Sequence, residues 1–590
     1  MPDAFALPAD LAERIQSRLT FLYGPERAPA VMDALVQRLA AFTPPPAPEG
    51  ERLSERDVIL ITYGDIVRRA GEVPLRTLHD TLTRTLKGAI NAVHLLPFFP
   101  YSSDDGFSVI DYTAVDPDLG DWDDIARLRG DFRLMFDAVI NHISVQSAWF
   151  QGFLRGEEPY TDYFITVPPD TDLTMVTRPR ALPLLTPFAT AVGEKLVWTT
   201  FSADQADLNY ATPAVLLDII AVLLRYVAQG ASLIRLDAIA YLWKEVGTTC
   251  IHLPKTHAVV KLFRDVLDAV APWVMLITET NVPHEENVSY FGDGTDEAQL
   301  VYNFSLPPLT FHAIASGSAR VLSAWARTLQ TPSDETAFFN FTASHDGIGV
   351  RPAQGLLSAD EIDALLARTQ AHGGYVSYKT DSDGSKSPYE LNISYFDALS
   401  DPRGDEPLDL QARRFLVSQA IALALQGVPG IYFHSLYGSR NDYVGVKETG
   451  RYRSINREKL NADALMAALN RPDSLRSHVF FAYRELIRLR VAERAFHPNA
   501  AQRVLDVGDA VFALLRTAPD GESWIIALHN VSNAPAKVTL DLEALGLGTA
   551  RGPLYDLVSG VTHALDGARL TLTLSRYAVC WLKPAGRDAM

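Results

Sequence analysis

Asp237, Glu279 and Asp346 each end a strand-like apolar run, three such runs in succession, and His345 precedes the last. Retaining glycosidic chemistry needs one carboxylate to attack the anomeric carbon and one acid to protonate the leaving oxygen, about 5–5.5 Å apart. Neighbouring strand ends of one barrel provide that spacing. A third carboxylate can bind sugar hydroxyls and favour an oxocarbenium-like transition state. In the stretch Leu233 to Tyr241, Arg235 lies two residues before Asp237, so the two share a face of a strand. A cation there favours the ionised form that a carboxylate nucleophile requires. Glu279 follows the apolar run Val274 to Ile277, a setting that raises a carboxyl pKa as a proton donor needs. Taken alone, Arg235 and Asp237 read equally well as a salt bridge at the end of a strand, and acidic residues at barrel rims are often helix caps. Three in register, with His142 and Arg235 also at strand ends, favour the catalytic reading.

Such a set needs a scaffold that brings strand ends together. From Val58–Tyr63 onward, short apolar runs alternate with amphipathic helical stretches: 92–96, 134–139, 232–237, 274–279, 337–341 and 430–433. Continuous apolar strands separated by helices indicate a parallel sheet covered on both faces. The expected fold is α/β, a (β/α)8 TIM barrel, with polar residues at the C-terminal strand ends where barrel active sites sit. Two connections are too long for ordinary loops. One runs from about His142 to Asn209; the other, from Gly347 to about Asp405, contains the loop Lys379 to Lys386. The expected organisation is an N-terminal helical extension (1–50), the first part of the barrel (51–141), an inserted B domain (142–210) and the middle of the barrel (211–346). A second inserted domain, B′ (347–405), the last part of the barrel (406–494) and a C-terminal antiparallel β-domain (495–590) complete it.

The chain has 590 residues, 47% hydrophobic and 21% charged. That composition suits a large soluble globular protein of more than one domain. A formal net charge of -18 argues against nucleic acid or an anionic membrane as partner. It also means that an anionic substrate needs a locally basic pocket. Cys250 and Cys580 are too few and too far apart for a disulfide framework or a metal knuckle. The N-terminal residues lack the pattern of a signal peptide, no apolar run reaches membrane-spanning length, and the expected compartment is a reducing cytoplasm.

Four segments carry a resemblance. Asp137-Ala138-Val139-Ile140-Asn141-His142, Ile234-Arg235-Leu236-Asp237-Ala238, Glu279-Thr280-Asn281 and Ser344-His345-Asp346 resemble the four signature regions of the α-amylase family, glycoside hydrolase family 13. The resemblance implies Asp237 as nucleophile, Glu279 as acid/base and Asp346 as transition-state stabiliser. It places His142, Arg235 and His345 around the donor glucose.

Further segments, among them Leu95 to Pro100, Asp104-Asp105-Gly106-Phe107, Arg178-Pro179-Arg180 and Arg453-Ser454-Ile455-Asn456-Arg457, are similar to the sucrose phosphorylase branch. That likeness implies a pocket closed to one glucosyl unit by Asp104 and Arg453, with Phe107 and Phe201 as apolar walls and Gln205 as a hydrogen-bonding partner. It implies Arg180 and Tyr389 as phosphate ligands and Tyr241 as a wall beside the nucleophile. Two positions depart from sucrose phosphorylase: Asn281 stands where a histidine is usual, and the loop reads Lys386-Ser387-Pro388-Tyr389-Glu390 with Lys379 before it. Neutral and cationic residues there suit a smaller or anionic acceptor, so Lys379, Lys386 and Glu390 join the expected acceptor contacts. In these positions the chain resembles the glucosylglycerate phosphorylases of the branch. The implied activity is a retaining α-glucoside phosphorylase that makes α-glucose 1-phosphate and releases glycerate. Sucrose phosphorylase is the alternative, then a sucrose hydrolase or transglucosylase; a partner-binding barrel would have lost part of the carboxylate set. The implied ligands are small molecules, an α-glucoside and inorganic phosphate, with no cofactor and no metal in the chemistry.

Overall fold

The computed structural model describes residues 6–180, 182–380, 385–548 and 552–585. Eight parallel strands close into a barrel: β1 (Ile59–Thr62), β2 (Ala92–Leu95), β3 (Arg133–Ala138), β4 (Ala231–Leu236), β5 (Met275–Thr278), β6 (Leu300–Tyr302), β7 (Ala337–Phe341) and β8 (Val428–Tyr432). Each pairs with its neighbour in order, and β8 returns to β1 with Ile59 opposite Gly430. All but Arg133 in these strands are buried, as expected for a parallel sheet covered on one face by helices and filled on the other by its own side chains. Seven of the strands match the apolar runs read from the sequence. The eighth, β6, is only three residues long and lies between β5 and β7, so the three carboxylates end β4, β5 and the segment after β7, not three successive strands.

The longest excursion between β3 and β4 holds small antiparallel sheets, Leu185–Thr190 and Gly193–Trp198 with Thr166–Val167, and His142–Ser144 with Gln205–Asp207. Between β7 and β8 a hairpin of Tyr375–Thr380 and Lys386–Asn392 pairs with Ile348–Gly349. Both excursions leave the C-terminal ends of barrel strands. After the barrel, a six-stranded antiparallel sheet and a two-stranded partner form a second apolar core, with Leu528, Val538 and Leu582 inside it.

Two helices precede the barrel, α1 (Ala9–Tyr23) and α2 (Ala28–Ala41). Their buried stripe, Leu11, Ile15, Leu19 and Leu22 on α1, faces the barrel helices, and Arg14 and Arg18 both bond the buried Asp265 carboxylate at 3.1 and 2.5 Å. No helix among the described residues is long and apolar enough to cross a membrane.

Candidate active site

The strand ladder places the first two carboxylates directly. Asp237 follows the last residue of β4 and its N–H bonds Ala138 O at 3.2 Å; Glu279 follows β5 and its N–H bonds Leu236 O at 3.2 Å. Each is thus fixed by one more hydrogen bond of the barrel, at its C-terminal rim. Between them Ala238 adopts a left-handed conformation, φ 48 and ψ 31, which costs a non-glycine residue on the order of 1 kcal/mol. That turn aims the Ala238 N–H at Glu279 Oε2, 3.1 Å away.

Arg235, 2% exposed, is the hub. Its Nη1 bonds Asp237 Oδ1 at 2.8 Å and pairs with Asp137 Oδ1, while its Nη2 lies 3.8 Å from Glu279 Oε2. The same-face geometry expected of Arg235 and Asp237 is present. The sequence reading did not foresee that Asp137 shares the guanidinium, nor that His94 Nε2 bonds Asp137 Oδ2 at 2.6 Å. Burial pushes Asp137 up, but Arg235 and His94 outweigh it and hold it below the usual carboxylate range. Burial lowers His94, so the ring is neutral and donates to Asp137. A histidine inside the apolar run of β2 was the available signal.

Asp237 and Glu279 are both raised, each first by burial. Arg235 opposes the shift, while Asp346 adds to it at both and the Glu279 charge adds to it at Asp237. Two raised carboxyls that repel one another hold a single proton between them more readily than they ionise together. Glu279, farther from Arg235 (3.8 against 2.8 Å), is the better place for it, which leaves Asp237 ionised. Asp346 behaves oppositely. Burial raises it, but Arg453 Nη1 at 2.6 Å and Arg457 Nη2 at 3.7 Å hold it far below the usual range. His345 stacks on Phe107, rings 4.9 Å apart at 4°, and burial brings its pKa down to about 3.

The pocket above these groups is lined by Asp104, Phe107, His142, Arg180, Phe201, Gln205, Arg235, Asp237, Tyr241, Glu279, Asn281, His345, Asp346, Tyr389 and Arg453. Every residue expected around the donor glucose is therefore in one cleft. His142 Nε2 and Gln205 Nε2 both donate to Phe107 O at 2.9 Å, with Asn141 Nδ2 on the other ring nitrogen at 3.2 Å. Phe201 packs edge-on to Tyr241 at 5.5 Å and lies under the Arg180 guanidinium at 5.7 Å. Asp104 and Asp105 take left-handed conformations (φ 56 and 51). Gly106 follows them because a Cβ there would meet Pro97 O at 2.6 Å.

Asp104 Oδ2 bonds Arg180 Nη2 at 3.4 Å rather than Arg453. Burial opposes its ionisation, but Arg180, Arg453, Arg457 and Arg451 bring its pKa down to about 2. Arg453 is held instead by Asp346 and, through Nε and Nη2 at 2.9 Å each, by the Glu390 carboxylate. Glu390 is 2% exposed and engaged in that pair, so it positions Arg453 where an acceptor contact was expected. Burial and the Glu390 charge push the Tyr389 hydroxyl up to about 12, which keeps it a donor.

An outer pocket continues from this cleft, lined by Arg180, Ser377, Tyr378, Tyr389, Glu390, Asn392, Arg451, Arg453 and Arg457 among others. Lys379 and Lys386, expected at the acceptor, line neither pocket; Lys386 is exposed on the hairpin. The hairpin register shifts between Ser377 and Tyr378, and the hairpin residues that line the outer pocket are Ser377, Tyr378, Tyr389, Glu390 and Asn392, not the lysines. Arg457, Arg451 and Asn392 escaped the sequence reading, although Arg457 ends the segment Arg453 to Arg457 that carries the likeness to sucrose phosphorylases. Far from the cleft, ligand atoms of Asp556, His563 and Cys580 lie within 4.8 Å of one another. There the Asp556 carboxylate already accepts from Val558 N, Trp581 N and the Ser559 hydroxyl.

A family model described as "Alpha amylase, catalytic domain" matches residues 84–350. The chain is 50% identical over 582 residues to the glucosylglycerate phosphorylase of Spirochaeta thermophila, covering 97% of this chain and 98% of that protein. It is 30% identical to the sucrose phosphorylase of Bifidobacterium adolescentis, over 70% of this chain and 82% of that one. Among solved structures, sucrose 6F-phosphate phosphorylase from Thermoanaerobacter thermosaccharolyticum superposes with a TM-score of 0.70 at 26% identity, covering 81% of this chain and 94% of that one.

Proposed function

The chain belongs to the α-amylase family, and we propose that within it the protein is a retaining glucosylglycerate phosphorylase. The observation that carries this reading is the placement of Asp237, Glu279 and Asp346 around Arg235 beneath an arginine-lined outer pocket. The likeness to the Spirochaeta thermophila enzyme along nearly the whole of both chains selects the acceptor.

In the first half-reaction an Asp237 oxygen attacks the anomeric carbon as Glu279 gives its proton to the glycosidic oxygen, and glycerate departs with its hydroxyl restored. Arg235, charged and fixed by Asp137, keeps Asp237 ionised and oriented. Asp346, held anionic by Arg453, faces the positive charge that develops on the ring. In the second half-reaction Glu279 takes a proton from phosphate as a phosphate oxygen displaces Asp237, giving α-glucose 1-phosphate. Arg180 and the Tyr389 hydroxyl supply the donors that hold phosphate in place of water. The chemistry uses no metal. A cytoplasmic setting suits an enzyme that makes a phosphorylated sugar.

The test is the reverse reaction, with glucose 1-phosphate offered to glycerate, fructose, fructose 6-phosphate and glycerol in parallel. Phosphate release is expected to be fastest with glycerate. Robust release with fructose and none with glycerate would assign the protein to sucrose instead.

A further inference from the structure

Four arginines line the outer pocket, and their commitments differ. Arg453 is held by Asp346 and Glu390; Arg457 is held by Asp105 and by His345 O. Arg180 has one long bond, 3.4 Å, to Asp104. Among the described residues the Arg451 guanidinium has no ion pair and no hydrogen bond. Its charge nonetheless reaches into the site, where it helps to keep Asp104 ionised.

The backbone under Arg451 is fixed while its side chain is not. Gly450, at φ +68, ends the helix Tyr443–Thr449, and the Arg451 N–H donates to Thr449 Oγ1 at 3.2 Å. Ser454 N donates to Arg451 O at 3.2 Å, and the Tyr452 ring stacks on Tyr375 of the hairpin at 4.5 Å and 3°. A cation is thus presented to the pocket from a backbone that is already ordered, and binding has only the side chain left to order. Asn392, 1% exposed, also lines this pocket. Its Nδ2 donates to Ser377 Oγ at 2.9 Å, but its Oδ1 is buried with no partner. Asn281 Oδ1, in the inner cleft beside Glu279, is likewise buried and unpartnered. A cation without a protein partner among the described residues, beside three arginines already engaged by carboxylates, suits a small anionic acceptor.

We propose that the outer pocket is the acceptor subsite and that Arg451 binds the acceptor's carboxylate, setting the preference for an anionic over a neutral acceptor. This rests on the phosphorylase reading above and adds a residue to it. In a chain of net charge -18 an anion gains little from the molecule as a whole, so the local cation decides.

The experiment compares glycerate with glycerol, its neutral counterpart, as acceptors from glucose 1-phosphate, in wild type, Arg451→Ala and Arg451→Lys. The ratio of kcat/KM for glycerate to that for glycerol is read within one preparation, so it does not depend on the folded fraction. Arg451→Ala is expected to lower that ratio about tenfold or more, with Arg451→Lys restoring most of it. A smaller fall, or equal loss of both acceptors, overturns the proposal while leaving a wild-type preference for glycerate intact. Wild type that uses glycerol but not glycerate overturns the glucosylglycerate reading itself, and the proposal with it.

Discussion

Arg235 serves three carboxylates at once, bonding Asp237, pairing with Asp137 and approaching Glu279. The residue-scale consequence is a division of labour set by distance: the nearer carboxylate is the anion, the farther one keeps the proton. Removing the nucleophile in Asp237→Ala should lower kcat by on the order of 10⁴ or more; phosphate release above that trace would contradict its role. Activity also needs Glu279 protonated in the first half-reaction. Burial raises its pKa above the usual carboxylate range. The proton is present below the raised value and lost as pH climbs through it, so kcat/KM for the glucoside should fall on an alkaline limb above the ordinary glutamate value. On the acid side the rate falls as Asp237 takes up a proton. An alkaline limb at the ordinary glutamate value would remove Glu279 from the acid role.

The elements explain which side chains were visible in the sequence. Asp237 and Glu279 could be found because each directly continues a strand of the barrel, where apolar run and polar end are adjacent in the chain. Seven strands were legible for the same reason, whereas β6 was not, since three residues between longer runs make no pattern. The acceptor side was not legible. It is built from a hairpin and a helix end that meet only in the fold, through Tyr375 on Tyr452 and Glu390 on Arg453. Charge count in the loop therefore pointed to Lys379 and Lys386, and the fold brings Arg451 to the pocket instead. The short strand paired with the hairpin also crowds the site at Gly349, where a Cβ would lie 2.7 Å from Asn281 Oδ1. Gly349→Ala should displace Asn281 and lower kcat/KM for glycerate about 10- to 100-fold. Because the group that yields is the end of one side chain, the melting temperature should stay close to wild type. Unchanged acceptor kinetics would show that Asn281 does not touch the acceptor.

Across the whole molecule, stability and chemistry are held in different places. The α1 arginines Arg14 and Arg18 converge on Asp265, 1% exposed, on the barrel helix Pro254–Val270, remote from the cleft. Asp265→Ala leaves Arg18 with only the Asp296 carboxylate, 3.8 Å away, and should cost about 2 kcal/mol. Thermal unfolding should register that loss, with kcat and KM unchanged; altered kinetics would mean that the N-terminal helices reach the site. The central claim concerns the fate of the glucosyl group, and one measurement addresses it directly. Glucosylglycerate and phosphate are incubated with the enzyme and the products followed by NMR. The account predicts one glycerate for each α-glucose 1-phosphate, formed with retention and only when phosphate is present. Free glucose appearing at the same rate without phosphate, or the β-anomer as first product, would contradict it.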